Sequence, residues 1–495
     1  MTQKPGHLLV DQLRLMAEHH PDEIGFQVLD GDGLTFAQWE AASNQFGRAL
    51  QSAGVEHGDR VAIYIAADDA VHWVASYAGV HKAGAVAVPL NTRLTRSELD
   101  ALLTHAEAKA IVFSPSLAET ARQLADDVPS LKVTLSTDEP LTGDTNTFQV
   151  PLEAGDLADI MYTSGTTGLP KGVAVRHRNI AMIPNAVPEW NGLWWLHASP
   201  LFTFAGIGFI YNPMKMGMRC LYMPRFDASR FLRSVEEDRP MAVFIVPAMA
   251  QLLIADPHFD DADLSSIVLC SLGSAPLAPS TLRRLQEKMP DATVSNAYGM
   301  TEAGPAYCLM PKEESFKRIG SVGQPMPPME VRAVDENGDT LPAGDVGEIL
   351  IRLPGREREY YKDEEATART WAGGWLHSGD LGYIDDDGYL YIVGRQKEVI
   401  IRGGNNIYAT DVEAVLHEHP DVREAAVVGI PHEVLGEDVA AFVVVREGVA
   451  VDAAELREFC GQRLADYKVP RQITMVDTLP RNATGKVLKQ QLLAT

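Results

Sequence analysis

Positive charge is scarce in this sequence: 43 lysines and arginines stand against 67 aspartates and glutamates, for a net charge of −24. A nucleic-acid surface needs a basic footprint, and so does docking on anionic lipid, so the balance argues against both partners. Cysteine is scarce too. The 4 present (Cys220, Cys270, Cys308, Cys460) are far apart and never form C-x-x-C, so neither a zinc site nor a redox pair is suggested. Buried reduced thiols, as in a cytosolic protein, are the expected state. His417-Glu418-His419 and His432-Glu433 lack the H-E-x-x-H spacing of a helix-borne metal site and read as solvated helix-end or loop histidines. Long apolar runs are missing as well. The main one, Met241 to Ala255, is interrupted by Pro247 and Gln251 and falls short of the ~20 residues that span a bilayer. Met1 to Pro21 mixes Lys4, Asp11, Arg14 and Glu18 with apolar residues, which predicts an amphipathic helix and not a signal peptide. The expectation is a cytoplasmic protein with no membrane partner.

What is present is ordinary for a globular chain: 46% hydrophobic and 22% charged residues over 495 positions. That length allows about three domain-sized units. Val61–Ile65 reads as a strand, 69–83 as a helix and Ala85–Pro89 as a strand, the βαβ pattern of parallel pairing. Strands at 110–113, 241–246 and 267–270, with a helix at 247–255, continue an α/β architecture. After about Val322 the composition turns to prolines and short β-branched runs. Asn337-Gly338 and Asp387-Gly388 are hairpin signals, so 322–394 reads as antiparallel β, a small barrel-like subdomain. From 398 a compact α/β unit follows, with helices at 410–419 and 452–466 and strands at 425–429, 439–446 and 472–476.

The most informative stretch is Tyr162-Thr163-Ser164-Gly165-Thr166-Thr167-Gly168-Leu169-Pro170-Lys171-Gly172. Glycines let backbone N–H groups approach an anion, hydroxyls donate to phosphate oxygens, and the lysine adds charge. A Walker A loop is ruled out, because Lys171 follows Pro170 and precedes Gly172. A flexible Ser/Thr/Gly surface loop is the plain alternative on composition alone. The stretch resembles the phosphate loop of the adenylate-forming superfamily, which includes acyl-CoA synthetases, adenylation domains and luciferases.

Four weaker motifs fall in that family's order, so the resemblance covers the chain from about Asp11 to Leu492. Asn296-Ala297-Tyr298-Gly299-Met300-Thr301-Glu302 resembles the Y-G-x-T-E segment. The resemblance implies adenine packing on Tyr298, an α-phosphate contact from Thr301, and Mg²⁺ held by Glu302. Asp380, in Trp375-Leu376-His377-Ser378-Gly379-Asp380, would grip the ribose hydroxyls. Arg395 would meet ribose and phosphate, and Lys397 would stand at a hinge. Pro480-Arg481-Asn482-Ala483-Thr484-Gly485-Lys486 resembles the C-terminal P-R-x-x-x-G-K element, whose lysine bridges substrate carboxylate and α-phosphate. Taken singly, each also reads as a capped turn or an exposed charge.

The resemblance further implies that Gly273, Ser274, Ala275 and Ile392 contact the nucleotide. Thr203, Phe204, Phe244, Leu272, Gly299 and Gly304 would line the acid pocket, and Gly403 and Gly404 would lie in the coenzyme A loop. Catalysis falls to Lys486, Glu302 and Thr163. The implied division is an N-terminal adenylate-forming domain over 1–394, a hinge at 395–397 and a mobile C-terminal domain over 398–495. The implied reaction takes ATP, Mg²⁺ and a carboxylic acid to acyl-AMP and then to a coenzyme A thioester. A carrier protein or partner enzyme as acceptor, and a homodimer, stay open.

Two places depart from the family. Thr203 stands where an aromatic or histidine often gates the acyl pocket. With Gly206, Gly208 and the tryptophans 190, 194 and 195 nearby, a wide cavity for a bulky or polycyclic acid is expected, with core or surface packing of the tryptophans as the plain alternative. Arg402, Asn405 and Ala409 replace the Ser, Glu and Pro usual in the thiol-tunnel loop. If the C-terminal lysine neutralises charge at the α-phosphate, Lys486→Ala abolishes most acid-dependent pyrophosphate release. It leaves thioester formation from supplied acyl-AMP near wild type, and rapid-quench assays of the two half-reactions check this.

Overall fold

The computed structural model describes residues 8–141, 143–163, 171–180, 183–275, 277–305, 308–446, 448–449, 451–482 and 486–493. The fold is mixed α/β, with a large N-terminal domain and a small C-terminal one. The first seven-stranded sheet runs Glu359–Tyr360, Lys171–Arg176, Leu157–Thr163, Val86–Pro89, Arg60–Tyr64, Ala108–Phe113 and Val133–Ser136. Its strands pair in parallel except at the first two junctions, where the hairpin 157–176 and then Glu359–Tyr360 add antiparallel. The second seven-stranded sheet is parallel from Thr293–Asn296 through Leu269–Leu272, Ala242–Ile245, Trp194–His197 and Arg219–Tyr222 to Ile24–Val28. Gly33–Thr35 closes it as a hairpin edge.

The helix Ala70–Lys82 is buried on nearly every side between these sheets. It belongs to the largest apolar cluster, with Trp39, Phe46, Trp73, Tyr77 and Tyr211. One charge is trapped there. Lys82 Nζ lies 2.6 Å from Glu40 Oε2, 2.7 Å from Ser43 Oγ and 2.8 Å from Asn44 Oδ1. Desolvation lowers the lysine pKa to about 8, against the pull of Glu40.

The expected β region after 322 is an antiparallel six-stranded sheet. It runs as an open path, with Cys308–Leu309 and Glu330–Val334 at its ends. Asn337-Gly338 and Asp387-Gly388 sit in its turns, both glycines at positive φ (86° and 83°). The C-terminal sheet is built on Val422–His432 and Gly436–Val445, with Val399–Arg402, Asn405–Tyr408 and Gln472–Met475 added. The helices Ala409–His417 and Ala453–Gly461 cover one face of it.

Local patterns misplaced some boundaries. The strand expected at 267–270 is Leu269–Leu272, since pairing opposite Ala242 begins at Leu269 while Ile267 packs into the core. The helix expected over 452–466 ends at Gly461. Asp452 caps its start, accepting from Ala454 N and Glu455 N at 2.8 Å. His419 is buried, not solvated as expected: its ring packs edge-on against Phe459 at 4.8 Å. Three of the cysteines are buried free thiols, and Cys308 is half-buried. Among the described residues no helix is long and apolar enough to cross a membrane.

The buried ion pair generates a stability prediction. Lys82→Met strands the Glu40 carboxylate and lowers the unfolding free energy by about 3–5 kcal/mol. The double variant Lys82→Met/Glu40→Leu recovers most of that loss, as read by urea titration.

Candidate active site

A cleft of about 1370 Å³ opens where the C-terminal ends of both parallel sheets, the antiparallel sheet and the C-terminal domain converge. Crevices beyond the carboxyl ends of parallel strands are where such folds place ligands. One wall is the antiparallel pair Leu157–Thr163 and Lys171–Arg176. Its strands put Thr163 opposite Lys171, with Thr163 Oγ1 donating to Lys171 O at 3.4 Å. The expected phosphate-loop residues Ser164, Gly165, Thr166, Thr167 and Gly168 lie outside the described residues.

Lys171 Nζ sits 4.7 Å from the centroid of the Tyr360 ring. The Tyr360 hydroxyl donates to Glu302 Oε1 at 3.1 Å. Burial and the neighbouring Glu302 carboxylate both raise the Tyr360 pKa, so the phenol remains a proton donor. This tyrosine therefore joins the loop lysine to the acidic residue of the second motif. It reaches them because Glu359–Tyr360 returns from far along the chain to pair with Lys171–Arg176.

The second motif forms a small hairpin, Gly299–Met300 against Gly304–Pro305, and Thr301, Glu302 and Ala303 make its turn. The carbonyl of Thr301 accepts from Arg358, whose other nitrogen donates to Asn179 O at 2.8 Å. Behind the hairpin, Tyr298 Oη donates to Asp380 Oδ2 at 2.6 Å, and Arg395 Nε lies 3.2 Å from Asp380 Oδ1. Asp380 and Arg395 meet because their strands pair in that register. Asp380 N is held by Ser378 Oγ at 3.0 Å, and Gly379 N by Glu348 Oε1 at 3.2 Å. Burial and the Asp380 carboxylate hold the Tyr298 phenol well above its ordinary pKa.

Lys486 arrives from the C-terminal domain. Its backbone N–H donates to Asn482 Oδ1 at 2.9 Å, and its carbonyl accepts from Asn482 N at 2.9 Å. An isolated bridge between Arg481 and Val487 closes this turn. Three residues on, Lys489 Nζ pairs with Glu413 at 2.8 Å and Glu398 at 3.4 Å, fixing the segment to the chain just past Lys397. Burial lowers the Lys486 pKa to about 8; Arg395 and Lys397 add to the fall, and Glu398 and Asp380 oppose it. Burial and then Arg395 lower Lys397 as well. Crowded cations that are partly desolvated and depressed in pKa would be relieved by an anion between them. Within an overall acidic protein, Lys486, Lys397 and Arg395 thus form a local cluster of positive charge.

Of the residues singled out from the sequence, Thr163, Lys171, Thr203, Phe204, Phe244, Gly273, Ser274, Ala297, Tyr298, Gly299, Met300, Thr301, Glu302, Gly304, Arg395, Lys397 and Lys486 line the cleft. Asp380 stands just behind Tyr298 and Arg395. Leu272 is instead fully buried in the core of the second sheet, and Asn296 ends its edge strand. Ile392 packs on the core of the antiparallel sheet, and Ala275 is not among the lining residues. Gly403 and Gly404 form a hairpin turn at φ 56° and 85° away from the cleft. Ser274 holds a left-handed φ of 72°, unusual for a residue with a side chain and common at ligand sites.

The tryptophans expected to mark a wide acyl pocket are packing residues. Trp190 stacks on His20 at 5.6 Å and meets Phe36 edge-on at 5.3 Å, Trp194 lies under Arg219, and Trp195 packs on Phe209 at 5.7 Å. Gly206 does not widen the cavity either. A Cβ there would stand 2.1 Å from Pro200 O, so glycine is required by close backbone approach. Thr203 caps the helix Phe204–Lys215: its hydroxyl donates to Pro200 O at 2.7 Å and accepts from Gly206 N at 3.0 Å. Tyr360, Arg358, Lys489 and Glu398 escaped the sequence reading, because only long-range pairing brings them here.

Residues 13–361 match the family of the AMP-binding enzyme, and residues 411–486 match the AMP-binding enzyme C-terminal domain. The chain belongs to the AMP-binding enzyme family. A feruloyl-CoA synthase of Amycolatopsis sp is 36% identical over 471 residues, covering 93% of this chain and 94% of that protein. A fatty acid–[acyl-carrier-protein] ligase, ScoC of Streptomyces coeruleorubidus, is 32% identical over 511 residues, covering 98% and 95%. The anthranilate CoA ligase AuaEII, solved with anthranoyl-AMP, superposes with a TM-score of 0.90 at 27% identity, covering 99% of this chain and 98% of its own. This AMP-binding enzyme is thus an AMP-forming ligase related to CoA ligases over nearly its full length.

The Lys486 environment sets a pH dependence. An ammonium with a pKa near 8 loses its proton as pH rises. The kcat/KM for acyl-AMP formation therefore falls as pH rises through about 8, since that ratio reports the free enzyme. Lys486→Arg retains some activity and moves the alkaline limb upward; an unmoved limb would assign the titration to another group.

Proposed function

We propose that this AMP-binding enzyme activates a carboxylic acid with ATP to an acyl-AMP and then transfers the acyl group to the thiol of coenzyme A. The observation that supports it best is the delivery of the C-terminal Lys486 into a cleft of the N-terminal domain, beside Arg395 and the Asp380–Tyr298 pair. A carboxylate repels nucleophiles, and AMP ester formation gives it a good leaving group. Reactions at phosphorus ask a protein mainly for positioning and charge neutralisation. In this reading Lys171, Thr163 and the loop between them hold the β- and γ-phosphates. Lys486 stabilises charge developing at the α-phosphate and orients the acid carboxylate. Asp380 is assigned to the ribose hydroxyls, which compete with Tyr298 and Arg395 for its two oxygens.

Glu302 suits Mg²⁺: it is a hard carboxylate facing the cleft, with the Tyr360 hydroxyl to steady one oxygen and the other available to a metal. No cluster of three or more metal-ligating side chains occurs among the described residues, so the phosphates would supply further ligands. Bound there, the ion would neutralise phosphate charge.

The second step needs Lys486 out and a thiol in. Residues 1–394 and 398–495 act as two bodies about 395–397. The support is that Gly403 and Gly404 stand outside the cleft while Lys486 stands inside it, so one arrangement cannot present both. A carrier-protein thiol as acceptor is the second reading. It is favoured by the ScoC relative and by Arg402, which is drawn into a 2.7 Å pair with Asp438 on the loop expected to line the thiol path.

A panel of acids with ATP and Mg²⁺, run with and without coenzyme A, tests both. We expect acid-dependent pyrophosphate release, an AMP ester without the thiol and a thioester with it. Release of no pyrophosphate with any acid refutes the activation. An AMP ester that coenzyme A leaves untouched moves the acceptor to a carrier protein.

A further inference from the structure

The cleft has a direction, and one helix measures it. Glu302, Lys171, Arg395 and Lys486 mark the polar end. Arg358 ties that end to the helix Phe204–Lys215: it donates to Thr301 O, and its guanidinium covers the Phe204 ring at 4.5 Å. Residues four apart share a helix face, so Phe204, Gly208 and Asn212 form one stripe, and all three line the cleft. At 1.5 Å per residue the stripe leads about 12 Å away from the polar end.

Each position on the stripe has a distinct character. At Gly208 a Cβ would meet only Asn212 Nδ2, at an ordinary 3.5 Å. The protein's own packing therefore does not require glycine there, in contrast to Gly206. What glycine provides at 208 is an open slot in the helix face. Beside it Phe209 and Phe244, both lining the cleft, pack with centroids 4.4 Å apart and planes inclined by 36°. They make an apolar aromatic wall. At the far end the half-buried Asn212 amide has no side-chain hydrogen bond within the protein among the described residues. An amide donates and accepts, so it suits a hydroxyl. His197, whose ring centroid lies 5.4 Å from that of Phe209, is fully buried and burial pushes its pKa down to about 3, so it adds no charge behind the wall to attract an ionic tail.

We propose that the acid is a flat aryl carboxylic acid with a hydroxyl at the end remote from its carboxyl group, and that Asn212 is the residue that recognises that hydroxyl. The ring occupies the Gly208 slot against Phe209 and Phe244. The carboxylate faces Lys486 at the polar end, and the hydroxyl reaches Asn212 at the far end of the stripe. An acid without the hydroxyl would cover the amide and leave it unpaired, which is the source of discrimination. The proposal rests on the reading of the cleft as an acid-activating site.

Pyrophosphate release with 4-hydroxycinnamate and with cinnamate tests it, alongside calorimetric binding of both acids without ATP turnover. Wild type is expected to favour the hydroxylated acid by about tenfold in kcat/KM. Asn212→Leu brings the ratio to one or below by losing the hydroxylated acid, with KM for ATP unchanged. Gly208→Leu depresses binding of both acids while ATP still raises the melting temperature. A wild-type preference for cinnamate, or a ratio that survives Asn212→Leu, overturns the proposal. If no acid releases pyrophosphate, the activation reading fails by itself, and the binding ratios still decide the role of Asn212.

Discussion

Two cations held close together, Lys486 and Arg395, are the constraint on which the rest of this site depends. Arg395 ends a strand of the antiparallel sheet, Lys486 lies far along the chain in the C-terminal domain, and both share one carboxylate neighbourhood, that of Asp380. Burying the lysine, and then setting it beside Arg395, costs free energy, visible as the depressed pKa of Lys486. The cost is bearable because Asp380 and Glu398 oppose it, and because Lys489 anchors the lysine segment to Glu398 and Glu413. Such an arrangement is poised for an anion and unfavourable without one. In the proposed reaction a polyanionic nucleotide beside a carboxylate substrate would supply the missing charge. Departure of pyrophosphate removes part of it again and would loosen the C-terminal domain's hold.

The N-terminal scaffold exists to keep the other half of that arrangement rigid. Two parallel sheets clamp one helix between them, and their strand ends define the cleft floor. The antiparallel sheet carries Asp380 and Arg395 on neighbouring strands, where register alone sets their spacing. Tyr360 closes the remaining gap by joining the edge of the first sheet and touching both Lys171 and Glu302. Groups placed by strand register move little, which suits chemistry that relies on positioning. The acid end of the cleft is built differently. A capped helix offers its face, and in the proposed reading the specificity of that face would come from what Gly208 omits and what Asn212 leaves unpaired.

The βαβ run from Val61 to Pro89 was legible in the sequence, because strand and helix periods there are uninterrupted. So was the antiparallel region after Val322, announced by its turn glycines. Boundaries at 267–272 and 452–461 were not, since pairing partners and not local composition decide where a ladder starts. The tryptophans misled: aromatic residues signal burial without saying in which core. Gly206 and Gly208 look alike in sequence, yet one is dictated by the Pro200 carbonyl and the other faces open space.

By itself the sequence determined the family resemblance and the candidate residues that carry it: the hydroxyl- and glycine-rich stretch with Lys171, the segment with Glu302, and the late Lys486. Side-chain type and local spacing are properties of the chain, and they need no fold to be read. Only the tertiary structure decided which of them meet. The Tyr360 bridge, the Asp380 clamp between Tyr298 and Arg395, the Arg358 tie to Phe204 and the anchoring of Lys489 join residues far apart in sequence. Such contacts are fixed by strand order and register, and no short-range pattern encodes those.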